Sequence, residues 1–175
     1  AGTAVSPDGK LLAYGTAAAG SDWNEWKVRD IETGKDLSDH LKWVKFSATA
    51  WTKDGKGFFY SRYDEPKEAT KLADVNYFQK LYYHKVGTPQ SADTLVYDRA
   101  DQKEWGFGAE VTDDGKYLLI TATKGTAPKY RMFYKDLTRA DSKVVAIVDE
   151  FEASYDFIDN DGPAVAPLAA RRGAQ

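Results

Sequence analysis

Three segments of the chain nearly repeat one another: Ser6-Pro-Asp-Gly-Lys-Leu-Leu-Ala-Tyr14, Thr52-Lys-Asp-Gly-Lys-Gly-Phe-Phe-Tyr60 and Thr112-Asp-Asp-Gly-Lys-Tyr-Leu-Leu-Ile120. Ile158-Asp-Asn-Asp-Gly162 opens a fourth in the same way. The turn glycines at 9, 55, 115 and 162 lie 46, 60 and 47 residues apart. One hairpin per unit, at a period of roughly 40–50 residues, is the signature of a β-propeller. The expected fold is all-β: a partial β-propeller of about three four-stranded antiparallel blades plus the start of another. No blade buries both faces alone, so the chain reads as a slice of a ring, with function partly outside it.

Asp-Gly between two apolar runs predicts a two-residue hairpin turn, which needs positive φ; glycine meets that without strain and Asp tolerates it. The run after each turn is apolar nearly throughout, as in Phe58-Phe-Tyr60 and Tyr117-Leu-Leu-Ile120, which predicts burial on both faces by neighbouring blades. Third strands are expected at Trp26–Ile31, Lys80–Val86 and Tyr130–Tyr134. Fourth strands are clearest at Thr94–Tyr97 and Lys143–Val148. The resulting blades run roughly over residues 1–46, 47–106 and 107–153, with the next starting at 154–162.

Composition narrows the class. Aromatic residues make up 14% of the chain, a load that suits strands more than helices. No segment reaches the roughly 18 apolar residues needed to span a bilayer, so a soluble domain and no membrane partner are expected. The absence of cysteine excludes disulfides and thiol chemistry and leaves the compartment open between cytoplasm and periplasm. A net charge of −3 argues against nucleic acid as the main partner.

Longer stretches carry a family resemblance: Ala13-Tyr-Gly15 with Gly20-Ser-Asp-Trp23; Trp43-Val-Lys-Phe-Ser47 with Ala50-Trp-Thr-Lys-Asp-Gly-Lys-Gly57; Gln79-Lys-Leu-Tyr-Tyr-His84 with Gly87-Thr-Pro-Gln-Ser91; and Phe151 to Gly162. Through them the chain resembles prolyl oligopeptidase (prolyl endopeptidase), a serine peptidase whose active site is covered by a seven-bladed propeller. The resemblance implies a substrate-gating lid for an enzyme that cleaves short peptides after proline. Its partners would be the α/β-hydrolase peptidase domain and proline-containing oligopeptides, with no cofactor.

That enzyme's Gly-x-Ser-x-Gly elbow is absent from the chain, and His40 and His84 are the only histidines. No Ser-His-Asp set is credible, so no catalytic residue is assigned and the chain alone is expected to be inactive. A stand-alone propeller-like module that binds a protein or peptide without catalysis is the alternative. Residues 163–175, rich in Pro, Ala and Arg, break the strand pattern and read as a frameshifted or disordered tail, with a natural divergent edge as the other reading. Open blade faces predict self-association.

The resemblance implies a substrate-binding set. Phe46 matches a phenylalanine that projects toward the bound peptide, although periodicity alone places it in the core. Asp22 matches an aspartate facing the substrate-binding arginine of the peptidase domain; the plainer reading is a turn residue bonding its own backbone. Thr123 and Thr126 stand where some relatives carry an arginine and a cysteine near the substrate. Gly106, in Trp105-Gly-Phe-Gly108, falls beside the pocket, and its plainer reading is a bend before an inner strand. The 60-residue interval leaves an insertion around 64–76, an exposed loop between the second and third strands of its blade. It matches a loop that helps gate entry, with Asp64, Glu65, Lys67 and Asp74 as its charged residues; a tolerated surface insertion is the alternative.

No metal site is expected. Asp159-Asn-Asp-Gly162 lacks carboxylates at the first and twelfth positions of a calcium loop, and His40 and His84 have no partner at zinc spacing. His84 reads as an ordinary strand residue between Tyr83 and Lys85.

Overall fold

The hairpin loop is four residues long. In the computed structural model, which describes residues 2–17, 21–66, 76–152, 155–157 and 170–172, Ser6 N–H donates to Leu11 C=O at 2.8 Å and Gly9 N–H to Ser6 C=O at 2.9 Å. Only the glycine of each turn has positive φ, 74° at Gly9, 67° at Gly55 and 73° at Gly115. The expected two-residue turn is therefore replaced by a longer loop that spares Asp the left-handed conformation. The carboxylate does other work. Asp54 Oδ1 accepts from Thr52 Oγ1 at 2.7 Å and Lys56 N–H at 3.1 Å. Asp114 Oδ1 does the same with Thr112 Oγ1 at 2.7 Å and Lys116 N–H at 3.0 Å. These bonds hold Asp54 below the usual carboxylate range, the hydroxyl of Thr52 contributing most.

Each loop starts a four-stranded antiparallel sheet. The first runs β1 (Thr3–Val5), β2 (Leu11–Ala17), β3 (Asn24–Asp30) and β4 (Asp36–Val44) in sequence order. The second is β5 (Ala50–Trp51), β6 (Gly57–Arg62), β7 (Lys80–Lys85) and β8 (Thr94–Tyr97). The third is β9 (Trp105–Val111), β10 (Tyr117–Lys124), β11 (Tyr130–Asp136) and β12 (Val145–Val148). A two-stranded pair joins β13 (Tyr155–Phe157) to β14 (Ala170–Arg172). Among the described residues no helix is long and apolar enough to cross a membrane.

Two apolar seams join the sheets. One holds Ala13, Trp26, Val28 and Leu41 from the first sheet against Trp51, Phe58 and Tyr60. The other holds Phe59 and Leu81 against Trp105, Phe107, Leu118 and Ile120. Successive side chains of a strand point to opposite faces, so Phe58 and Tyr60 enter one seam and Phe59 the other. This is why β6 is buried from Gly57 to Ser61 while β2, with a neighbour on one side only, has a single buried residue, Ala13. Val5 pairs with Leu12 on the other side of the first sheet and is 54% exposed.

Two boundaries differ from the sequence reading. Residues 105–111 are a strand, not a bend before one, so the third sheet starts at Trp105. Glycine is accommodated there because the alternate residues Trp105 and Phe107 face the core. In the tail, Ala170–Arg172 pairs with Tyr155–Phe157. The rest of the tail and Ile158 to Gly162 lie outside the described residues.

Candidate functional site

Phe46 sits in the link between β4 and β5 with φ 54°, and its ring is 71% exposed. The core placement suggested by periodicity does not hold. The link leaves one sheet at buried Val44 and enters the next at Ala50, and both flanks of Phe46 are pinned on the way. Gln79 Nε2 donates to Lys45 C=O at 2.8 Å. Ser61 N–H donates to Ser47 Oγ at 2.8 Å. With its neighbours held inward and its own backbone left-handed, the ring is left pointing out.

Left-handed backbone at a residue with a Cβ costs on the order of 1–2 kcal/mol. Among the described residues the non-glycine cases are Trp43, Phe46 and Phe78: Trp43 lies three residues before Phe46, and Phe78 directly precedes Gln79, which bonds Lys45 beside it. Tyr63 N–H donates to Trp43 C=O at 3.0 Å, and Phe78 N–H to Lys103 C=O at 2.7 Å. Strain concentrated at one place, on a ring that burial does not reward, is the kind of arrangement found at binding sites.

Phe46 borders two cavities. One, of about 560 Å³, is also lined by Tyr63, Gln79, Gly106, Thr123 and Thr126. It thus brings together Phe46, Gly106, Thr123 and Thr126, four of the five residues that the resemblance sets near the substrate. Gly106 keeps its wall open: a Cβ there would lie 3.2 Å from both Gln79 Oε1 and Thr123 Oγ1. Strand pairing sets Gly106 opposite Thr123, and the loop beyond β10 brings Thr126 to the rim. The fifth, Asp22, opens instead into the neighbouring cavity of about 440 Å³, which Phe46 shares.

Among the described residues no backbone N–H beside Asp22 donates to its carboxylate. Its exposed carboxylate lies 3.4 Å from Lys45 Nζ. That ammonium stands 5.2 Å from the Trp23 ring and 5.3 Å from the Phe46 ring, a cation–π position against both. Trp23 in turn meets Trp43 and Tyr63 edge-on. The two acidic and aromatic candidates, distant by 24 positions, are thus coupled through Lys45.

Of the charged residues assigned to the inserted loop, Asp64 clasps Lys80 Nζ at 2.7 Å, tying the loop's base to the start of β7. Glu65 is exposed beside it. Lys67 and Asp74 lie outside the described residues.

His84 escaped the sequence reading. It is fully buried, with Nδ1 2.7 Å from Asp93 Oδ1 and Nε2 2.9 Å from Asp39 Oδ1. Two acceptors on the two ring nitrogens require both to carry protons, so the ring is an imidazolium. Burial alone would lower its pKa, but the hydrogen bonds and charges of Asp39 and Asp93 prevail and raise it to about 9. Asp39 also accepts from Gly87 N–H at 2.6 Å, and Asp93 from Tyr60 Oη at 2.6 Å. Asp39 is 45 positions from His84 in sequence, and no local pattern announces the pair. Neither ring nitrogen is free to deprotonate a serine, and His40 is engaged with Glu25 at 2.6 Å. The cluster is a clamp between the first and second sheets.

The sequence profile of the prolyl oligopeptidase N-terminal β-propeller domain matches residues 1–168. The chain belongs to the prolyl oligopeptidase family. It is 38% identical over 162 residues to the prolyl endopeptidase of Elizabethkingia meningoseptica, covering 93% of this chain and 23% of that protein. Prolyl oligopeptidase A of Amanita bisporigera is likewise 38% identical, over 88% of this chain and 23% of its own length. A solved prolyl endopeptidase, from a study of inter-domain dynamics in catalysis and specificity, superposes with TM-score 0.83 at 38% identity, over 93% of this chain and 23% of its own. Prolyl oligopeptidase B of Galerina marginata, solved with a 35-residue substrate, gives TM-score 0.83 at 34% identity, over 91% of this chain and 24% of its own. The chain thus spans about a quarter of the length of these prolyl oligopeptidases, and its three sheets are blades of the family's propeller.

Proposed function

We propose that these blades form part of a lid over the α/β-hydrolase domain of a prolyl oligopeptidase, which admits short peptides and cleaves them after proline. Phe46 holds a residue of the peptide next to the proline, against the cavity walled by Gly106 and Thr126. The observation that carries this reading is the exposed Phe46 ring on a pinned, left-handed backbone at the mouth of that cavity. An aromatic face offers wide contact at little entropic cost, which suits a site that must hold varied side chains. Asp22 is proposed to face the peptidase domain, its charge tempered by Lys45. Thr123 and Thr126 bring neither a cation nor a thiol, so binding there relies on shape and neutral hydrogen bonds, and thiol-directed inhibition does not apply. The loop around 64–76, with Asp64, Glu65, Lys67 and Asp74, is proposed to gate entry.

The test is hydrolysis of a fluorogenic Gly-Pro substrate by this chain alone and mixed with a separately expressed peptidase domain of the family. No turnover alone, with altered turnover or size selectivity in the mixture, is the expected result. No effect in the mixture would favour the stand-alone binding module.

A further inference from the structure

Phe107 lies in the third sheet and Phe46 in the link between the first two, yet the segments around them are joined twice, through Gln79 and through Ser61. On one side, the buried Gln79 amide donates from Nε2 to Lys45 C=O at 2.8 Å and accepts at Oε1 from Phe107 N–H at 2.6 Å. On the other, Ser61 donates from Oγ to Phe107 C=O at 2.7 Å, while its own N–H donates to Ser47 Oγ at 2.8 Å. Both peptide groups flanking the Phe107 Cα are thereby satisfied by the second sheet, and so are the residues on either side of Phe46. Gln79 and Ser61 are each almost wholly buried.

We propose that Gln79, and Ser47 seated on the Ser61 N–H, are positioning residues that hold Phe46 in its left-handed, outward conformation, while Gln79 and the Ser61 hydroxyl set its distance from the Gly106–Phe107 wall. The proposal rests on the reading of Phe46 as a peptide contact, but its structural half stands without it. An amide is what the position requires: one group must donate toward a carbonyl and accept from an N–H across the same gap. A leucine, methionine or carboxylate cannot do both. Gln79 also supplies a polar patch of the cavity wall, so it shapes the site that it braces. The left-handed link has no glycine to make it cheap; the two bridges make it hold, since strained backbone persists where its surroundings over-determine it.

The experiment uses Gln79→Met, close in shape and unable to bridge, together with Ser47→Ala, which removes the acceptor of the Ser61 N–H, and the pair. Phenylalanine labelled with ¹³C at Cα reports the φ of Phe46 in this chain, and amide exchange reports the Phe107 N–H. Gln79→Met is expected to move the Phe46 Cα signal from the helix-like toward the extended range and to speed Phe107 exchange at least tenfold, with the pair of substitutions going further. An unmoved Phe46 signal in the double variant would overturn the proposal. The full-length protein carrying this chain supplies the second arm. Phe46→Ala should lower kcat/KM for a Gly-Pro substrate about tenfold, through KM. Gln79→Met should do the same, and combining the two should cost no more than Phe46→Ala alone. If Phe46→Ala changes nothing while the Cα signal still moves, the peptide-contact reading fails and the positioning claim stands. If Gln79→Met lowers kcat/KM and the effect adds to that of Phe46→Ala, Gln79 acts by another route and the proposal fails.

Discussion

His84 Nε2 lies 2.9 Å from Asp39 Oδ1 across the seam between the first two sheets, with Asp93 on the ring's other nitrogen. The clamp works only while the ring is charged. Its folded pKa of about 9 exceeds the ordinary 6.5, so its contribution is complete below pH 6.5 and is lost as pH rises through about 9. A gap of this size corresponds to about 3 kcal/mol. Thermal melts should therefore show Tm falling between pH 7 and pH 9. His84→Gln should flatten that slope and cost about 3 kcal/mol at pH 7, since it leaves buried carboxylates without their cation. A wild-type Tm that stays level across this window would contradict the charged ring.

Replacing Phe46 with glycine should stabilise the chain. The ring contributes little burial, and glycine relieves the left-handed strain by about 1 kcal/mol, which for a chain of this size raises Tm by roughly 2–4 °C. Calorimetry on Phe46→Gly and Phe46→Ala separates the terms, because alanine loses the ring and keeps the strain. Peptide turnover in the full-length protein should fall for both.

Gly106→Ala should narrow the cavity rather than break the fold. Its Cβ would press on Gln79 Oε1 and Thr123 Oγ1 at 3.2 Å, so each must give by a few tenths of an ångström. The expected cost is about 1 kcal/mol in denaturant melts, with weaker hydrolysis of substrates bearing a bulky residue beside proline. A stability loss of several kcal/mol would mean that the wall is rigid.

Val5 on the first sheet and Val145 on the third stand 54% and 46% exposed. Apolar sheet faces exposed to water favour association. Light scattering coupled to size exclusion should find oligomers of this chain, and Val5→Lys together with Val145→Lys should shift them toward monomer. A monomer peak for the unmodified chain would dismiss association.

What the sequence revealed was whatever repeats. The Asp-Gly turns and the apolar runs behind them place the sheets, because the same local chemistry recurs at each unit. The turn's length is not legible in Asp-Gly alone: a hydroxyl two residues before Asp donates to the carboxylate in all three loops. Phe46 and Gly106 could be set near one another only through family resemblance, since neither carries a local signal. Gln79, Ser61 and His84 stayed hidden for a common reason. Ser61 and His84 are polar residues within strands and Gln79 directly precedes one; each takes at least one partner from another sheet or link, and no spacing rule relates residues 39 and 84 or 45, 79 and 107. The outward ring of Phe46 went against periodicity because backbone pinning, not hydrophobicity, decides its direction.

The alternation along β6 carries an energetic corollary. Phe58 and Phe59 are covalent neighbours, yet each spends its contacts in a separate core, so a double-mutant cycle between them should return a coupling near zero. Phe58 and Leu41, seventeen positions apart, share one core and should couple strongly. Along this strand, adjacency in the gene tells little about interdependence; parity does.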